Sequence, residues 1–169
     1  VAFIKNPATT LPKALAFAAS ARHPRLCFQA LRLAVDHAMA REDESGTTKA
    51  IEMFLAAHPK SSGAWEAAVM RQAFRLMRGQ VSEEDLAEAK RLQASPLPGQ
   101  EARARTLLGQ YLLDLHHPQE VVELLEPVIE GEPTLINHFQ LGTALAALGE
   151  AEDAIAVLQA GLEADPGDL

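Results

Sequence analysis

Residues 135–166, LINHFQLGTALAALGEAEDAIAVLQAGLEADP, hold two helix-length apolar patterns separated by a glycine. Leu141, Leu145 and Leu148 recur at spacings of four and three, which places them on one stripe of a first helix. Gly142 lies beside that stripe and Ala154 is its small counterpart on a second helix, so the two can approach closely there. Gly149 can adopt the left-handed conformation that ends a helix. Glu152 and Asp153 then bring negative charge to the first turn of the next one, where the dipole favours it. Pro166 stops the second helix.

Shifting back by 33 positions superimposes a second copy without a gap. Leu108, Gly109, Leu112, Leu115, Leu125, Glu130 and Pro133 fall on Leu141, Gly142, Leu145, Leu148, Leu158, Glu163 and Pro166. This copy is looser, because His116 stands where Gly149 does and Pro127 removes a donor from its second helix and bends it. Two short helices cannot bury an apolar stripe alone, so units of this size stack on their neighbours.

Leu141, Gly142, Leu145, Leu148, Gly149, Ala154, Leu158, Leu162, Asp165 and Pro166 follow the pattern of a tetratricopeptide repeat, which residues 102–166 resemble. His138 replaces the usual tryptophan and Gly161 the usual alanine. The resemblance implies an all-α, right-handed α-solenoid of antiparallel helix hairpins, a scaffold that binds protein or peptide. Residues 1–169 are expected to form one such solenoid, with clear repeats at 102–134 and 135–169 and divergent ones at 11–59 and 60–98. The divergent part rests on punctuation, since helical stretches are read as ending at Pro24, Pro59, Pro96 or Pro98, Pro133 and Pro166. Helices are predicted near 11–22, 25–41, 47–58, 62–78, 82–94, 99–116, 118–131, 135–148 and 151–164. The polar segment 41–49 reads as a turn, with the next helix capped by Thr47 or Thr48. The chain opens on Val1 and closes at DPGDL, which suggests a piece of a longer protein or a processed one. Leu162 would have little to cover it unless more chain or a partner follows.

A net charge of −8 and a pI near 5.2 argue against nucleic acid as a partner. Arg71, Arg75 and Arg78 read as a solvated stripe. No apolar run reaches the roughly 18–20 residues of a membrane span, and ALAFAASA after Lys13 reads as a packed helix rather than a leader. The single cysteine, Cys27, excludes an internal disulfide and reads as a small buried hydrophobe. Cytoplasm is the default compartment, with a periplasm also compatible.

The six histidines do not pair at metal-ligand spacing. His23 and His58 precede prolines at helix ends, His116 and His117 occupy a turn, and His138 fills an aromatic slot. Carboxylates such as Glu83, Glu84 and Asp85 gather at helix starts, where they favour the dipole rather than catalysis. No nucleophile elbow or phosphate loop is present. The expectation is therefore no catalytic residue, no metal and no cofactor. Trp65 reads as a packing aromatic, and Tyr111 as half exposed beside the packing face.

By the resemblance, the first helix of each repeat lines a concave groove. Carried onto this chain, the groove residues are Arg103, Thr106, Gln110 and Leu113, then Ile136, Phe139, Thr143 and Ala146. Their spacings put each set on one helix face. The lysine and asparagine clamp by which some relatives hold a terminal carboxylate is missing, with Thr106 and Phe139, and Gln110 and Thr143, in its places. An apolar or amphipathic segment suits this groove, unless a neighbouring helix of the same chain covers it. The expected function is a noncatalytic interaction scaffold in a bacterial multiprotein assembly, with self-association open. The substrate-recruiting part of a larger transferase or protease, or a chaperone for secreted or membrane clients, remains the alternative.

Overall fold

The computed structural model describes residues 7–20, 23–131 and 134–164, with side chains from residue 12 onward. Asp165, Pro166 and Pro133 lie outside the described residues. What is described is all-helical: α1 (Pro7–Ala18), α2 (Pro24–Met39), α3 (Glu44–Ala57), α4 (Ser62–Met77), α5 (Glu83–Ala94), α6 (Glu101–Asp114), α7 (Pro118–Leu125), α8 (Leu135–Leu148) and α9 (Ala151–Ala164). They form two compact units, Val1–Arg71 and Gln72–Leu169, divided within α4.

In the first unit α2 packs on both α1 and α3. Its core holds Ala14, Ala18, Cys27, Leu31, Ile51 and Phe54, so the ALAFAASA segment is a packed helix where it is described. Phe54 meets Phe28 edge-on at 5.6 Å. Cys27 is fully buried, as expected, and its Sγ donates to the Ser20 carbonyl. His58 is the C-cap of α3, its N–H donating to the Phe54 carbonyl, and its side chain reaches a second helix: Nε2 donates to the Ala18 carbonyl at the end of α1 across 3.1 Å. His23, read as a helix end, instead precedes Pro24 at the start of α2. Proline's fixed φ suits that first position, and Pro118 opens α7 in the same way.

The cap predicted at Thr47 or Thr48 is corrected to Asp43. Its carboxylate accepts from the Gly46 N–H at 2.8 Å, the helix starts at Glu44, and Thr47 is buried inside it. Most of the expected polar turn is thus helix, because a carboxylate cap satisfies the free N–H groups earlier in the chain.

In the second unit α5 packs on α6, α6 on α7, α7 on α8 and α8 on α9, with α6 also touching α8. Pro127 does interrupt its helix, since α7 stops at Leu125 and a 3-10 turn follows at Glu126–Val128. Tyr111, expected to be half exposed, is completely buried. Its hydroxyl donates to the Gln72 carbonyl at 3.0 Å and to the Gln72 side-chain oxygen. Gln72, also fully buried, passes its own amide hydrogen to Glu88 on α5. The arginine stripe is corrected in part, with Arg78 exposed as read. Arg75 pairs with the buried Asp85, and Arg71 with Glu52 in the first unit.

One turn recurs through the chain. Glu42, Gly79, His116 and Gly149 all have left-handed φ, at +56°, +62°, +62° and +87°. Each makes the same pair of bonds, its own N–H to the carbonyl three residues back and the following N–H to the carbonyl five back. These are αL helix caps of the Schellman type, and they close α2, α4, α6 and α8 at intervals of 37, 37 and 33 residues. His116 therefore fills the role of Gly149 despite its side chain, at a steric cost that glycine would not carry. We expect His116→Gly and Glu42→Gly each to stabilise the protein by about 1 kcal/mol, seen as a higher urea midpoint at unchanged slope. No gain at either position would contradict the cap assignment.

Candidate partner-binding face

Two glycines that align at an interval of 33 do different jobs. At Gly142 an added Cβ would lie 2.6 Å from Leu158 Cγ, so this position permits the close contact of α8 with α9. At Gly109 the same atom would lie 2.6 Å from the Gln140 side-chain oxygen, so the space is taken by α8 of the following hairpin. Gln140 is buried there and donates its amide to the Thr106 carbonyl at 3.0 Å. Thr106 in turn donates its hydroxyl to Asn137 at 3.3 Å. This hook fastens α8 alongside α6, and it depends on Gly109 having no side chain.

The two departures of residues 135–166 from the repeat pattern also touch. A Cβ on Gly161 would fall 2.5 Å from His138 Cβ, so glycine at 161 makes room for histidine at 138. His138 Nδ1 faces the Thr134 carbonyl at 2.9 Å. A carbonyl only accepts, so that nitrogen carries the proton.

Asn137, His138, Gln140, Leu141, Ala144 and Leu145 turn inward on α8, and the opposite face remains outside. Ile136 is 55% exposed and Phe139 58%, and Thr143 and Ala146 are exposed with them. On α6, Arg103 is exposed while Thr106, Gln110 and Leu113 are half-buried. Gln110 is engaged locally, donating to Asp114 at 2.8 Å. The hook therefore brings the eight groove positions onto neighbouring faces of α6 and α8, four of them exposed on α8 and one on α6. Leu148, assigned to the packing stripe, lies exposed at the last turn of α8.

Beside Ile136 and Phe139 a cavity of about 460 Å³ opens between α8 and α9, lined by Leu135, Ile136, His138, Phe139, Leu158 and Leu162. Repeat spacing identifies Leu158 only as a repeat residue. Its counterpart Leu125 is fully buried beneath the next hairpin, whereas Leu158 is 37% and Leu162 46% exposed. Among the described residues α8 packs on α7, and no described helix follows α9 in the same way.

Trp65 is half-buried at the start of α4. Among the described residues no three His, Cys, Asp or Glu side chains converge as a metal site, and no helix is long and apolar enough to cross a membrane. The chain matches no protein-family model, no curated protein and no solved structure.

Proposed function

We propose that this chain is a right-handed solenoid of tetratricopeptide-like hairpins. It acts as a noncatalytic interaction module that takes up an apolar or amphipathic segment on the α6 and α8 faces. The observation that carries the reading is the exposure of Ile136 and Phe139 beside an apolar cavity, on a helix whose other face is packed. A helix laid into such a groove buries one apolar stripe and leaves its polar face in water. The repeated αL caps support the hairpin array, because the same turn returns after each first helix.

A photo-crosslinking residue replacing Thr143 tests this in the cells that make the protein. Thr143 points outward at the centre of the proposed face, and Glu123 on α7 is an exposed control elsewhere. A specific adduct is expected from Thr143 and not from Glu123, mapping to an amphipathic segment of the partner. Equal labelling from both positions, or none from Thr143, would count against the groove.

A further inference from the structure

We infer that the segment taken up on the α6 and α8 faces, reaching the apolar cavity between α8 and α9, is a cationic amphipathic helix. The inference rests on the proposed groove and adds the chemistry of its occupant. Residues 106–169 contain twelve of the chain's 23 Asp and Glu and none of its 15 Lys and Arg. That segment therefore carries −12, while the first 105 residues carry +4. The last cations of the chain are Arg103 and Arg105, in the opening turns of α6.

The exposed apolar surface lies within the acidic segment. α8 has no charged residue apart from its histidine, so the exposed Ile136 and Phe139 have no cation on their own helix. On α9, Ile155, Leu158 and Leu162 share the surface with the exposed carboxylates Glu152, Asp153 and Glu163. Between them α8 and α9 carry carboxylates and no Lys or Arg, and Arg103 on α6 is the exposed cation among the proposed groove residues. Such an apolar strip repels an acidic helix and attracts one with Lys or Arg beside its apolar stripe. The cavity supplies the anchor, since Phe139, Leu158 and Leu162 can receive a large aliphatic or aromatic side chain.

A second copy of this chain is the competing occupant, because α2 exposes Leu26 and Leu33 next to Arg25 and Arg32. Sedimentation over a wide concentration range separates the two. A monomer throughout agrees with a foreign helix, and a mass that climbs with concentration and falls on Leu33→Glu overturns the proposal in favour of self-association.

The direct test uses three labelled synthetic peptides with the full 169-residue chain. One is a helix with leucines at positions i, i+3, i+4 and i+7 flanked by lysines, the second replaces those lysines by glutamates, and the third scrambles the first. The cationic helix is expected to bind at least about tenfold more tightly than either other peptide. The advantage should shrink as salt rises from about 0.1 M to 1 M, where screening shortens from about 10 Å to about 3 Å. Combining Glu152→Gln, Asp153→Asn and Glu163→Gln should remove most of the preference, and these exposed positions leave the core untouched. Equal affinity for the cationic and anionic helices overturns the inference, and so does equal affinity for the scramble. A Thr143 adduct with a partner lacking a basic helix would also overturn it while leaving the groove reading intact; absence of any such adduct overturns the groove reading itself.

Discussion

Tyr111→Ala is expected to destabilise the second compact unit by about 3–5 kcal/mol, the scale of a large aromatic removed from a packed interior. Tyr111 is the largest fully buried side chain among the described residues. It joins α6 to α4 through Gln72, and Gln72 joins α4 to α5 through Glu88. Tyr111→Phe divides the effect into its parts. It keeps the ring and removes the hydroxyl, leaving the buried Gln72 oxygens without that donor, at a cost of about 1–3 kcal/mol. Urea unfolding followed by circular dichroism reads both values. If Tyr111 were half exposed, as its place in the sequence suggests, both losses would stay near 0.5 kcal/mol, typical of surface positions.

The reason Tyr111 was misread shows what sequence periodicity conveys. Stripe arguments place a residue on the packed or open side of its own helix, and they placed Leu141 and Leu145 correctly. Tyr111 is buried with its hydroxyl bonded to Gln72 on α4, a helix earlier in the chain, and no spacing within α6 reports that contact. Helix positions were legible, with α8 and α9 matching the expected 135–148 and 151–164. Their punctuation was only half legible. Pro24 reads as a helix end, yet it opens α2, whereas Pro118 opens α7 where the expected helix 118–131 begins. Of the four αL caps only Gly149 was visible, because Glu42 and His116 adopt a conformation their residue types disfavour. Gly79 fits that turn but went unnoticed beside the arginine stripe. Asp43 was missed as a cap because two threonines farther on looked like better candidates.

The candidate face was legible where repeat spacing governs it. Ile136, Phe139, Thr143 and Ala146 all remain on the outside of α8. The hook from Gln140 to Thr106 was not legible, because it requires knowing that Gly109 faces the next hairpin rather than its own. The cavity at Leu158 and Leu162 was half foreseen, in that Leu162 lacked an evident cover.

Phe139→Glu carries the other large expected effect, and it separates binding from folding. A glutamate at a position 58% exposed leaves the core intact, so the melting transition should move little, within about 0.5 kcal/mol of stability. In the groove the same charge would be forced against the apolar stripe of the bound segment, an uncompensated burial that costs several kcal/mol. Affinity for the segment crosslinked at Thr143 should therefore fall by more than about a hundredfold, at about 1.4 kcal/mol for each factor of ten. The decisive measurement is a paired one on this variant, a calorimetric titration with that segment beside a thermal melt. Lost binding with an unchanged melt is the predicted result. Unchanged binding in an equally stable variant would contradict the proposed face, and an early melt would show that Phe139 belongs to the core.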